Sequence, residues 1–139
     1  MVHQTTKILI PLSLEWVLTQ ACNSQCSYCS SNKPAYKKKG LVSKIPEIIR
    51  LSPKHIFFMG GEPTLVEDLP RITKELRNSI NPHMGISTNM KNTDIIEHIL
   101  PYIDDLVISL DTMSSDKSLR DRQVDPESIL AELSDICHK

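Results

Sequence analysis

The stretch CNSQCSYC sets Cys22, Cys26 and Cys29 within eight residues, and the one other cysteine, Cys137, stands far along the chain. Three clustered thiols with C-x3-C-x2-C spacing make a poor disulfide framework and a good metal loop. Each can hold one iron of a [4Fe–4S] cluster, which normally takes four cysteines. The fourth iron then keeps an open coordination position, the feature that separates catalytic metal centres from structural ones. The competing reading is half of a zinc site, completed by Cys137 or His138. Three further groups of residues could do chemistry beside this loop: Gly60-Gly61-Glu62-Pro63, Ser87-Thr88-Asn89, and Ser109 with Asp111.

Each of these groups follows a short apolar run. SLEWVLTQ (13–20) leads into the cysteine loop, KHIFFMGG (54–61) ends in the two glycines, HMGISTN (83–89) in asparagine and DDLVISLD (104–111) in aspartate. Such runs predict parallel strands buried on both faces. Between them lie helical patterns. VSKIPEIIRL has Ser43 as a cap and a stripe of Ile45, Ile48 and Ile49, and DLPRITKELRNSI starts at Asp68 and Pro70 with Leu69, Ile72, Leu76 and Ile80 three or four apart. TDIIEHIL begins at Thr93 with Ile95, Ile96, Ile99 and Leu100. DPESILAELSDI offers Asp125 as cap, Pro126 in the first turn and a stripe of Ile129, Leu130, Leu133 and Ile136. LRDRQV (119–124) reads as a polar loop.

Strand then helix, four times over, predicts an α/β fold with a parallel sheet and right-handed crossovers, a single domain over 1–139. In a βα barrel, functional residues collect at the C-terminal ends of the strands. All four groups fall there, so the topology alone assembles them on one face. Blander readings stand beside each: the glycines as a tight turn, Ser87 and Asn89 as strand-end or helix caps, Asp111 as a turn cap. Cys137 reads as a partly buried hydrophobe, Trp16 as core, and His55, His83 and His98 lie away from the strand tops.

These motifs resemble those of radical S-adenosylmethionine enzymes. CNSQCSYC is similar to that family's cluster loop, including the aromatic Tyr28 before the third cysteine. GGEPTL (60–65) is similar to its GGEP motif, and STN and SLD to its polar strand ends. The resemblance spans about 14–111 and implies a partial TIM-like barrel. It implies that Cys22, Cys26 and Cys29 ligate a [4Fe–4S] cluster whose unique iron chelates S-adenosylmethionine. Gly60, Gly61, Glu62 and Pro63 would offer backbone groups to the methionyl amine, while Ser87, Asn89, Ser109 and Asp111 would meet its carboxylate and ribose. The implied activity is reductive cleavage to a 5′-deoxyadenosyl radical that takes hydrogen from a substrate. An electron donor such as flavodoxin or ferredoxin would serve it. A non-catalytic iron–sulfur or cofactor-binding remnant is the alternative.

The family usually carries six βα units, and four are legible here. Three explanations compete: a truncated gene product, a short domain completed by a partner chain or a second copy, or a compact variant; an open sheet edge invites pairing. The 139 residues are 40% hydrophobic and 24% charged with a net charge of −1, which gives no electrostatic reason to expect nucleic acid or a membrane surface. No run approaches the roughly 20 apolar residues of a membrane span. ILIPLSLEWVLTQAC (8–22) is interrupted by Pro11 and Glu15, which argues against a secretion signal. A cytoplasmic location follows, where thiols stay reduced. The run Lys37-Lys38-Lys39 before Gly40 reads as a solvated loop.

Overall fold

The computed structural model describes residues 13–29, 40–111, 113 and 125–137, with only the backbone of Cys137. The run of lysines and LRDRQV fall outside these residues, as does His138. Four strands, β1 (Ser13–Thr19), β2 (His55–Gly60), β3 (His83–Thr88) and β4 (Asp105–Ile108), form one sheet in the order β1-β2-β3-β4. Every pairing is parallel, as each strand is reached through a helical crossover. The helices are α1 (Ile45–Leu51), α2 (Leu69–Ile80), α3 (Thr93–Ile99) and α4 (Pro126–Cys137).

The strands are not buried on both faces. Ile56, Phe58, Met84 and Ile86 are fully covered and pack with Leu18 against Ile45, Ile48, Leu69, Ile72, Leu76 and Ile99 of the helices. Removing each such side chain from water is worth about 2 kcal/mol. Trp16 is partly buried against this core, tilted on Phe58 with ring centroids 6.1 Å apart. The alternate residues Val17, Phe57, Met59, Ser87 and Val107 are half-buried or exposed. Three glycine- and polar-interrupted runs had masked this period of two. The second core, around Met90, Ile96 and Ile129, seats α4 against α3 and β4.

Helix starts follow the expected signals unevenly. Asp125 Oδ2 accepts from the N–H and hydroxyl of Ser128 at 3.1 Å each, a working N-cap. Ser43 is no cap: it lies inside a 3-10 turn (Val42–Lys44) that precedes α1, and its hydroxyl donates back to the Gly40 carbonyl. Asp68 occupies the N-cap position of α2 without a side-chain bond. Leu130 does not join the α4 stripe; it is 52% exposed, while Ile129 is buried.

Candidate functional site

The turn after β2 is built by close approach. A bulge between Val17 and Thr19 re-aims the top of β1 toward Gly60. A Cβ on Gly60 would lie 2.2 Å from the Thr19 carbonyl oxygen, and one on Gly61 2.2 Å from that of Ala21. Gly60 also takes φ +145°, which side chains rarely adopt. No side chain fits at either position. The Gly61 and Glu62 N–H groups donate to those same Thr19 and Ala21 carbonyls at 2.9 and 2.8 Å, fastening the root of the cysteine loop to β2.

Glu62 is 1% exposed. Its Oε1 accepts from the Thr64 N–H (3.2 Å), the Thr64 hydroxyl (2.7 Å) and the Thr88 hydroxyl (2.7 Å), and its Oε2 from the Asn89 N–H (2.8 Å). Four donors satisfy a carboxylate that burial would otherwise penalise heavily. The side chain thereby ties the turn after β2 to the end of β3. Pro63 is buried at the start of a 3-10 turn (Pro63–Leu65).

Asn89, 4% exposed, continues the chain of contacts. Its Nδ2 lies 2.7 Å from Asn23 Oδ1, 3.1 Å from Ser24 Oγ and 3.9 Å from Cys22 Sγ, and its Oδ1 accepts from the Lys91 N–H at 3.1 Å. Cys22 Sγ also accepts the Ser24 N–H at 3.4 Å. Farther along the loop, Cys29 N–H bonds the Cys26 carbonyl at 3.1 Å, and the Tyr28 hydroxyl donates to Asp111 Oδ1.

A cavity of about 340 Å³ lies over the strand tops. Cys22, Cys26, Cys29, Gly60, Gly61, Glu62, Ser87, Asn89 and Ser109 all line it, together with Ser24, Phe57, Met59, Thr88 and Val107. Four segments separated in sequence thus meet as the barrel topology requires. Pro63 and Asp111 do not line the cavity; Asp111 reaches the loop through Tyr28. The Ser87 and Ser109 hydroxyls make no hydrogen bond among the described residues. Thr64 and Thr88 fall inside the motifs named from the sequence, but no role was assigned to their hydroxyls, which meet Glu62; Phe57, Met59 and Val107 were passed over, although the strand period places them on this face.

Cys22, Cys26 and Cys29 are free thiols on one cavity wall, with Cys26 buried. Among the described residues no three His, Cys, Asp or Glu side chains converge on a single ion. A four-iron cube asks for no such convergence, because each sulfur takes a different iron. A room-sized cavity, three sulfurs on its rim and N–H groups directed at one of them fit a cluster better than a mononuclear site.

A parallel βα sheet with a cysteine-rimmed cavity at its C-terminal edge defines the class of protein: an α/β fold of the partial-barrel kind with its cavity at the strand tops. The model of the Radical SAM superfamily matches residues 16–136, and the chain belongs to that family. Curated relatives include a protein of Metallosphaera sedula described as "Probable GTP 3',8-cyclase", 33% identical over 84 residues, 55% of this chain and 26% of that one. Another is the S-adenosylmethionine-dependent nucleotide dehydratase of Lacinutrix mariniflava, 25% identical over 119 residues, 78% of this chain and 25% of that one. The chain therefore spans about a quarter of the length of these relatives. Among solved structures, Streptococcus suis SuiB bound to S-adenosylmethionine superposes with a TM-score of 0.73 at 19% identity, covering 91% of this chain and 31% of SuiB, which shows the shared fold. Among the described residues no helix is long and apolar enough to cross a membrane.

Proposed function

We propose that this chain forms the cofactor-binding part of a radical S-adenosylmethionine enzyme. The observation that carries the reading is the cavity whose rim holds all three clustered cysteines and whose other walls are the ends of β2, β3 and β4. Cys22, Cys26 and Cys29 would hold a [4Fe–4S] cluster, leaving one iron for the amine and carboxylate of S-adenosylmethionine. Held there by the three cysteines, such a cluster would supply the single electron for reductive cleavage of S-adenosylmethionine to methionine and a 5′-deoxyadenosyl radical, which would take hydrogen from a substrate.

The chain's own groups divide the work of orientation. An ammonium donates hydrogen bonds, so the carbonyls of Gly60 and Gly61 are the backbone groups of the turn that would receive it; the N–H groups of Gly61 and Glu62 instead fasten the turn to Thr19 and Ala21. Ser87 and Ser109 present uncommitted hydroxyls suited to a carboxylate or ribose. Phe57, Met59 and Val107 line the cavity with apolar surface, on which an apolar part of the cofactor or substrate would lie. Three reduced thiols fit a reducing compartment such as the cytoplasm, with a low-potential donor of the flavodoxin or ferredoxin type supplying the electron.

Anaerobic reconstitution with iron and sulfide tests this directly. The expected result is four irons per chain and release of 5′-deoxyadenosine on reduction in the presence of S-adenosylmethionine, with Cys26→Ala losing cluster assembly while its sheet remains folded. A cluster without 5′-deoxyadenosine would favour a cofactor-binding remnant. Tight stoichiometric zinc in place of a cluster would favour the zinc module.

A further inference from the structure

We propose that Asn89 is a positioning residue for the cysteine loop: its amide clamps residues 22–24 and so holds the Cys22 sulfur at the cavity rim. The inference rests on the cluster reading above. The backbone N–H and both polar side-chain atoms of Asn89 are engaged within the protein. The backbone N–H is fixed by Glu62, the side-chain oxygen by the Lys91 N–H, and Nδ2 by Asn23 and Ser24 with Cys22 Sγ beside them. An amide with two hydrogens and three acceptors in reach bonds firmly to the nearer two and leans on the third.

The geometry differs from that of a residue awaiting a ligand. A group meant for the carboxylate or ribose of S-adenosylmethionine needs a spare donor, and Asn89 has both hydrogens directed into the loop. The anchor behind it is stiff, because Glu62 is itself held by Thr64 and Thr88 and sits at 1% exposure. Rigidity at Glu62 is thus carried through Asn89 to the segment that bears the first cysteine. Lys91 adds a weaker contact, Nζ to the Asn23 carbonyl at 3.5 Å. Outer partners of this kind fix ligand orientation and commonly change metal affinity by roughly 10- to 100-fold when removed. The positive end of the amide, 3.9 Å from Cys22 Sγ, would also raise the reduction potential of an iron–sulfur centre held there, by polarising electron density away from it.

The test compares Asn89→Ala, Asn23→Ala and the double variant with the parent chain, before and after anaerobic reconstitution. In the apo proteins, amide hydrogen exchange over 22–26 should run several-fold faster in both single variants while the protection of β2 and β3 is kept. After reconstitution, Asn89→Ala should lose iron to a chelator roughly 10-fold faster and show a more negative reduction potential. Asn23→Ala, an exposed truncation that does not threaten the fold, should show the same changes in smaller measure. The double variant should fall short of the sum, as expected for two residues in one contact. Unchanged exchange and unchanged iron retention in Asn89→Ala would overturn the clamp. So would a large loss of S-adenosylmethionine affinity at unaltered potential, which would make the side chain a direct ligand. If the parent chain takes up no cluster, the function reading fails, while the exchange comparison still decides whether Asn89 restrains the loop.

Discussion

The two ends of the sheet hold their polar residues in opposite ways. At the C-terminal end, Glu62 is sealed from solvent with four donors around it, and Asn89 is almost as deep. At the N-terminal end, Arg77, Asp104, His83 and Asp105 form ion pairs with side chains 21% to 57% exposed. Arg77 Nη2 lies 2.6 Å from Asp104 Oδ2 and also donates to the Tyr102 carbonyl at 2.8 Å, while the Met84 N–H donates to Asp104 Oδ2 at 2.7 Å. His83 Nε2 lies 2.6 Å from Asp105 Oδ2. Water can replace any partner at the N-terminal end. It cannot reach those at the C-terminal end, so a lost contact there leaves a donor stranded. A site that must hold geometry is built from the second kind.

The largest effect should come from breaking the buried end. Glu62→Ala strands the hydroxyls of Thr64 and Thr88 and the Asn89 N–H. It should cost about 3 kcal/mol, read as a lower urea midpoint at an unchanged slope. A loss below 1 kcal/mol would mean that water enters the site and that the two ends are alike.

Asp104→Asn breaks the exposed end at its best-connected point and should cost less, about 1 kcal/mol after allowing for solvent screening. The Met84 N–H does most to hold the Asp104 carboxyl below its ordinary 3.8; burial opposes it, and the hydrogen bond and charge of Arg77 add to the lowering. A depressed carboxylate stabilises the fold above its unfolded value, and that contribution is lost as pH falls through the folded one. The deficit of the variant should therefore vanish in strong acid, measured as the difference in thermal midpoint.

The smallest effect sits at His83, on the most exposed pair. The hydrogen bond to Asp105 raises its pKa above 6.5, with the charges of Asp105 and Asp104 adding to it and burial and Arg77 opposing. A raised histidine stabilises most below its unfolded value and ceases to do so as pH rises through the folded one. His83→Gln should therefore lower the midpoint slightly at pH about 5.5 and match the parent in alkaline buffer. A difference that grows with pH would reverse the assignment. His55, whose ring is tilted 53° to that of His83 with centroids 5.5 Å apart, should leave that sign unchanged.

The cysteine triplet, the paired glycines and the four strand–helix alternations were legible because each is local: spacing, turn chemistry and period act within a few residues. That locality sufficed for the parallel sheet and for the meeting of four strand ends. It also misled. Ser43 and Leu130 had the right type and spacing for a cap and a core position, and neighbouring packing decided otherwise.

What the sequence by itself determined was which segments meet at the strand tops and which of them carry sulfur. What only the tertiary structure decided was the division of labour among the polar residues gathered there. Glu62 and Asn89 face inward as braces, Asp111 turns to Tyr28, and the Ser87 and Ser109 hydroxyls make no hydrogen bond among the described residues. The partners lie 27 residues apart for Glu62 and Asn89, and 66 for Asn89 and Asn23. A buried polar atom takes whichever partner folding brings within 3 Å or so, and no local pattern encodes that choice.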